Sequence, residues 1–221
     1  MMLTEQVKEI KLLMEYAVPA GEEQVANDLL DRFSGDRIAL NLLHSFYSFL
    51  PEGLDDAVCD LYLLARKEGV FLLAAATTIA NYLYLVSQEQ VEFLGNCDEG
   101  IWDDEVLAFF GFRSRTESVR TSESLTSCQP YIPANSDASL CPLCSAADGE
   151  LHTLGCPVEV CPWCDGQLTS CNCRFTVSGK KHLRNETDLA AFHELLNEKG
   201  RIPYDALRQR PGYPGAGNDD P

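Results

Sequence analysis

The densest group of chemically active residues is a stretch of 33 residues, Cys141 to Cys173, with seven of the ten cysteines and one histidine. Zn²⁺ in structural sites takes four S or N ligands in a tetrahedron, and a close pair of ligands lets one turn supply two of them. Eight ligands in four close pairs therefore predict two closed, structural zinc sites. The pairs are Cys141 and Cys144, His152 and Cys156, Cys161 and Cys164, and Cys171 and Cys173.

Two other uses of these cysteines fit the sequence less well. Disulfides need an oxidising compartment, and the N-terminal residues include Glu5 and Glu9 and form no apolar core of signal-peptide type. Cys161-Pro-Trp-Cys164 looks like the redox pair of glutaredoxins, but such a dithiol needs a thioredoxin-like βαβ frame around it. Only 57 residues follow Cys164. Zinc is therefore the favoured interpretation.

The sequence leaves open which pairs share an ion. Sequential pairing gives one site of three cysteines and a histidine, 141–156, and one all-cysteine site, 161–173. Interleaved pairing joins the first pair to the third, and the sixteen residues between Cys144 and Cys161 fit a zinc ribbon built on two C-P-x-C turns. We favour interleaving, because it ties both sites into one unit where few core residues are available.

The run from His152 to Cys173 resembles a recurrent zinc module of bacterial and phage proteins, with the pattern H-x-x-G-C-x-x-E-x-C-P-x-C-x-G-Q-L-x-S-C-x-C. In this sequence Pro157 stands where that family often has Asp, and Asp165 where it has Gly. The resemblance covers only residues 141–175. It implies bacterial or phage origin and zinc at the eight ligands, and it implies no reaction.

No catalytic site is apparent in the sequence. A catalytic zinc keeps one coordination position open for water, whereas these ligands come in complete sets of four. The sequence has no H-E-x-x-H, no P-loop and no G-x-G-x-x-G after a strand. His152 also lacks the Glu two positions later that nucleobase deaminases use. We therefore expect a protein that is not an enzyme.

The chain is strongly acidic, with a formal net charge of −17. Residues 1–113 carry 20 acidic and 7 basic residues, a net charge of −13, and the one basic cluster lies at 180–184. Such a field repels nucleic acid. We expect a protein partner instead, and charge complementarity favours a basic one.

Residues 1–113 are interpreted as an acidic, all-helical domain. Four segments have apolar residues at helical spacing, at 4–17, 22–33, 36–49 and 55–67. The next twenty residues, 69–88, carry no charge and are long enough to span a bilayer. Because polar residues interrupt them, we interpret them as a core helix that is apolar on all sides and not as a membrane span.

The predicted fold class is mainly α. We expect an N-terminal helical bundle, joined by a flexible linker to a small two-zinc module with a C-terminal helix. Residues 114–140 are rich in Ser and Thr and are interpreted as that linker. The zinc module with its packing helix is expected at 141–202, with a short strand at 174–178 and a helix capped by Asn185. Residues 203–221 are expected to be mostly disordered.

The stretch 89–112 combines acidic and aromatic side chains. The simplest interpretation is a last helix, from about Ile101, whose acids face water. The alternative is a partner-binding surface in which Trp102 is the anchor, since buried Trp residues often dominate binding energy. The acids around that anchor are Asp98, Glu99, Asp103, Asp104 and Glu105.

Three hypotheses for function follow from these features. The first, which we favour, is a cytoplasmic adaptor or regulatory protein that binds protein partners through its acidic domain and zinc module. The second is a DNA mimic, whose carboxylates occupy the nucleic-acid groove of a processing or defence complex. The third is a nucleic-acid-binding zinc protein, against which the charge argues.

Overall fold

The computed structural model describes residues 3–51, 53–122 and 125–209. The chain divides into two compact units, residues 1–137 and 138–221, and each has buried apolar clusters of its own. No helix among the described residues is both long enough and apolar enough to cross a membrane.

Three helices open the first unit, as the sequence predicts. Helix α1 is Leu3–Ala17, α2 is Glu23–Arg32 and α3 is Arg37–Phe49. The predicted cap Asp36 begins α3, since its carboxylate accepts a hydrogen bond of 2.8 Å from the Ala39 N–H. The apolar faces of the three helices are buried, including Ile10, Leu30 and Leu43.

A five-stranded antiparallel sheet follows where the sequence predicts two further helices. Its strands are β1 (Val58–Lys67), β2 (Val70–Thr77), β3 (Asn81–Val86), β4 (Val91–Asn96) and β5 (Gln129–Pro130). The strand order is β4-β3-β2-β1-β5. The predicted helix at 55–67 is therefore mostly strand β1, and the predicted core helix at 69–88 is the hairpin of β2 and β3.

The prediction of a mainly α fold with an N-terminal helical bundle is wrong, because the first unit combines helices with this sheet. Both faces of the sheet are covered. Phe46 of α3 contacts the Tyr82 ring on one face, and Leu107 packs with Leu72 and Leu83 on the other. Strands that are buried on both faces are apolar throughout, so their sequence lacks the alternation that distinguishes a strand from a buried helix.

The predicted linker, 114–140, contains regular structure that packs within the first unit. Helix α4, Asp104–Phe110, ends before this segment. Within the segment, helix α5 is Arg115–Ser122, and strand β5 pairs with the outer edge of β1. The buried Ser122 hydroxyl donates to the Cys97 carbonyl at 3.0 Å. The Tyr131 hydroxyl donates to Asp36 at 3.0 Å. A serine-rich segment folds here because its hydroxyl groups find partners in the protein.

The second unit contains helices α6 (Cys173–Ser178) and α7 (Glu186–Lys199). The short strand predicted at 174–178 is thus a helix, whereas the predicted helix after Asn185 is confirmed. Asn185 accepts a hydrogen bond of 2.8 Å from the Asp188 N–H, as an N-cap does.

The segment that ends the described part of the second unit is ordered against the cysteine module. The sequence predicts a mostly disordered tail at 203–221, but Tyr204 is buried with Cys141 and Cys156. Residues 210–221 of that predicted tail lie outside the described residues.

Candidate metal centre

The two C-P-x-C turns have the same backbone hydrogen bonding, and one turn begins at Cys141 and the other at Cys161. A β-bridge closes each turn, Leu140 with Ala147 and Val160 with Gln167. The module is therefore a structural repeat of one hairpin, which the sequence analysis does not identify. The matched N–H to O=C bonds are Cys141–Ala146 and Cys161–Gly166 at 2.7 Å, Ser145–Cys141 at 2.8 Å and Asp165–Cys161 at 2.9 Å, and Asp148–Ser139 at 3.1 Å and Leu168–Glu159 at 2.8 Å.

Each turn has one residue in the left-handed backbone region immediately after its second cysteine. These residues are Ser145, with φ of 61°, and Asp165, with φ of 58°. Glycine adopts this conformation most easily, and Asp is among the few other residues that enter it often. Asp165 is the position at which the resembling module carries Gly, so the departure from that pattern keeps a residue compatible with the turn.

The first ligand cluster consists of Cys141, Cys144, His152 and Cys156. Their four ligand atoms lie within 4.8 Å of one another, and all four residues are buried. Cys141 Sγ lies 3.8 Å from Cys156 Sγ, and Cys144 Sγ lies 3.3 Å from His152 Nδ1. These separations are close to the edges of a tetrahedron around an ion with bonds of about 2.0–2.3 Å, the lengths that Zn²⁺ makes to N and S.

Residues 201–209, the closing segment, orient the histidine of this cluster. His152 Nε2 lies 2.9 Å from Gln209 Oε1. Because the amide oxygen only accepts, Nε2 carries the proton and Nδ1 is left to bind an ion. The Tyr204 ring packs edge-on against the imidazole, with 5.2 Å between ring centroids. Gln209 and Tyr204 fall in the predicted tail, and no local motif in the sequence marks them.

A buried ion pair links the closing segment to the cysteine module. Arg201 Nη2 lies 2.6 Å from Glu159 Oε1, with side chains only 5% and 1% exposed, and the same guanidinium donates to the His152 carbonyl at 2.6 Å. Burial raises the pKa of Glu159, and the Arg201 charge opposes that rise. Glu159 is the glutamate of the resembling pattern, so its partner gives that motif position a structural explanation.

The second ligand cluster consists of Cys161, Cys164, Cys171 and Cys173, whose Sγ atoms also lie within 4.8 Å of one another. Cys161 is buried, Cys164 is exposed, and the other two are half-buried. A hydrogen bond from the Gly166 N–H lowers the pKa of the Cys164 thiol. The second site is therefore as complete as the first but more open to solvent.

The structure pairs the ligands in sequence order, so the preference for interleaved pairing is wrong. Each C-P-x-C turn closes on itself through its own β-bridge, and the next ligand pair along the chain completes its tetrahedron. Compactness within the module comes instead from Tyr204 beside the first cluster and from Phe192 and Leu196 beside the second. These apolar contacts replace the cross-links that interleaving was expected to supply.

The donor sets fit a tetrahedral metal ion in both clusters. Hydrogen bonds with Cys144 and Cys156 hold the pKa of Cys141 well below its usual range. Burial lowers the pKa of His152, but its hydrogen bonds with Cys141 and Cys144 outweigh burial and raise that pKa to about 10. An ion that binds here must displace the proton that the raised pKa retains on His152, since thiolate and neutral imidazole are the ligand forms.

The predicted partner-binding residues lie on an exposed part of the first unit. Trp102 is 65% exposed, and the Arg115 guanidinium lies 3.2 Å from its ring centroid. Asp103 has a structural role, because it caps α4 by accepting from the Glu105 N–H at 2.7 Å. Trp102, Asp104 and Arg115 line one shallow cavity, so a cation that the sequence analysis does not include stands beside the anchor. The other three predicted residues are exposed, namely Asp98, Glu99 and Glu105.

Comparisons of the chain with protein-family models, curated protein sequences and solved structures find no match. The function must therefore be inferred from the two ligand clusters and from the surface of the first unit.

Proposed function

We propose that the chain is a zinc-binding adaptor, in which two zinc ions hold the second unit in its fold and the acidic first unit binds a protein partner. The observation that carries this proposal is the completeness of the ligand sets. Each cluster has four protein donors, which fill a tetrahedron and leave no coordination position for water or a substrate. Such sites supply folding energy and not catalysis.

The charge of the first unit supports a partner that is a basic protein. From residue 68 to residue 112 the sequence has eight acidic residues and no basic one. Acidic groups of this kind steer a basic partner and set its orientation, whereas an aromatic anchor contributes affinity. Trp102 is available for that role because it is exposed at the edge of a cavity.

The test is affinity capture with the full chain as bait, comparing Trp102→Ala with Tyr16→Ala, which removes another exposed aromatic elsewhere on the unit. If Trp102 is an anchor, its removal should weaken capture of a specific protein strongly, while the melting temperature stays within about 2 °C because little buried area is lost. Unchanged capture, with a fall in stability of about 3–5 kcal/mol, would instead identify a packed residue.

A DNA mimic is the second candidate, favoured by the same segment, 68–112, which has acidic residues and no basic one. The two candidates differ in what competes for the captured partner. Duplex DNA at physiological salt, where non-specific binding to basic proteins is weak, should displace a mimic from its target, because both occupy one basic groove. It should leave an adaptor bound to its partner.

A further inference from the structure

An apolar groove lies on the first unit between the end of α3 and the outer strands of the sheet. It encloses about 540 Å³. Phe49 of α3 and Phe93 of β4 both line it and are 83% and 56% exposed. Its floor includes Phe46, Tyr82 and Tyr84, whose rings contact one another or Phe93. Exposed aromatic surface of this kind in a concave site is typical of a binding surface.

The groove runs beside β4, which is one of the two edge strands of the sheet. No strand in the described part of the chain pairs with its outer edge. The Ser87 N–H donates to Gln90 O at 2.8 Å, and β3 pairs with β4 in the register Val86 with Val91 and Tyr84 with Phe93. Antiparallel pairs alternate between bonded and non-bonded, so the backbone groups of Val91 and Phe93 point away from β3.

Val91 and Phe93 therefore contribute to the edge in two ways. Their side chains line the groove, and their backbone N–H and C=O groups face outward. Glu92, between them, projects to the opposite face of the sheet, because successive side chains of a strand alternate. It lines a separate shallow cavity with Leu85 and is exposed. An added strand would thus meet an apolar face on one side and a carboxylate on the other.

We infer that this edge binds an extended segment of a protein partner in which apolar and basic residues alternate, with the apolar side chains in the groove and the basic ones near Glu92. The inference rests on the proposed protein-binding role but uses a surface other than that of Trp102. Main-chain hydrogen bonds to an edge strand give affinity, and pockets for alternate side chains give specificity. The segment 68–112, with acids and no bases, supplies the charge complementarity.

A second copy of the chain is disfavoured as the occupant. Pairing two β4 edges would bring together two copies of an edge that carries Glu89 and Glu92 and no basic residue. Like charges in close opposition are unfavourable across strands and across interfaces. The regular ladder with β3 also ends early, since the register shifts after Phe93, so a short peptide matches the edge better than a long strand.

The experiment measures binding of a fluorescent peptide of about six residues, a usual strand length, to the full zinc-loaded chain by anisotropy. The peptide alternates leucine and lysine, and the control has the same composition in two blocks. We expect the alternating peptide to bind at least about tenfold more tightly. It should also slow hydrogen exchange at the Val91 and Phe93 amides, because these become hydrogen-bonded.

Two variants test the geometry. Val91→Pro removes an outward donor at the first residue of the strand, where proline is compatible with the sheet, and should weaken binding roughly fivefold to tenfold. Glu92→Lys should weaken binding of the lysine peptide and strengthen binding of a leucine–glutamate one. Glu15→Lys makes the same charge change at an exposed position of α1 and should do neither. Circular dichroism checks that each variant is folded.

Equal affinity for the two peptides, or no effect of Glu92→Lys, would overturn the inference. A dimer that forms without peptide and is abolished by Val91→Pro would assign the edge to a second copy. If the peptide fails while affinity capture still yields a Trp102-dependent partner, the inference is wrong and the proposed function stands. If the peptide binds as expected and capture yields no partner, the edge is supported and the Trp102 surface is not.

Discussion

At the scale of single residues, the function of the first cluster depends on side chains that are not ligands. The imidazole of His152 is held by Gln209 at one ring nitrogen and by the Tyr204 ring that packs edge-on against it, and Arg201 donates to the His152 backbone carbonyl. Such partners fix the tautomer and ring orientation before the ion arrives, so less conformational freedom is lost on binding. The eight ligands could be predicted from spacing, but these three partners could not, because they lie far along the chain.

Gln209→Ala should lower the zinc affinity of the first cluster by roughly 10–100-fold, the usual effect of losing a partner of a metal-binding histidine. The reason is that His152 Nε2 would lose its acceptor at 2.9 Å, so the ring would no longer be fixed with Nδ1 toward the ion. The measurement is competition with a chromophoric chelator, which gives the zinc affinity of the two sites one after the other.

Gln209→Glu supplies the matched control, because it keeps an oxygen acceptor at the same place. It should retain most of the affinity, and the second cluster should respond to neither variant. An equal loss in both variants would mean that Gln209 acts through the hydrogen bond that its amide donates to the Pro203 carbonyl, and no loss in either would remove the closing segment from the metal site.

At the scale of elements, the residues that cap the helices were predicted better than whether a segment is a helix or a strand. The caps at Asp36 and Asn185 follow from side chains that accept from the first turn of a helix. The β1–β2 hairpin was missed although its turn is visible in the sequence, as Glu68-Gly69. Both residues have positive φ, 51° and 77°, which is the two-residue turn that matches the twist of a hairpin. A buried strand can be assigned only when such a turn is weighed against the apolar run beside it.

The two hairpins of the module have the same backbone but different surroundings, so their metal ions should not be released together. All four ligands of the first cluster are buried, whereas Cys164 of the second is exposed. A chelator or thiol reagent reaches an exposed thiolate without any opening of the structure. We expect native mass spectrometry during chelator treatment to show a one-zinc species that accumulates before the zinc-free chain.

Alkylation during that treatment should identify which site empties first. Cys164 should be modified while Cys141 and Cys156 remain protected. The isolated Cys97 serves as an internal reference, because burial raises the pKa of its thiol to about 12 and keeps it unreactive. Release of both ions in one step, or earlier alkylation of Cys141, would contradict the expected order.

At the scale of the whole molecule, the chain combines a unit stabilised by apolar burial with a unit that we propose to be stabilised by metal. The first unit has helices and a sheet around cores such as that of Leu72, Leu83 and Ile101, and it contains neither ligand cluster. In the second unit the cysteines themselves make up much of each buried cluster. Under this proposal, the division near residue 138 separates two sources of stability.

Cys161→Ser tests this division, because it removes a buried ligand of the second cluster. Metal binding to such a site is folding free energy, so the second unit should lose its ordered structure around α6 and α7. The first unit should keep its own, since the buried cluster described around Leu72 and Ile101 contains none of the ligands. Limited proteolysis should then leave a protected fragment that ends near residue 137, and circular dichroism should retain the signal of α1 to α3 and the sheet.

Cys59→Ser, which changes a cysteine of β1 outside both clusters, is the control and should leave the whole chain protected. Loss of protection throughout the chain on Cys161→Ser would show that the two units unfold as one, and the zinc ions would then stabilise the partner-binding surface as well as the module.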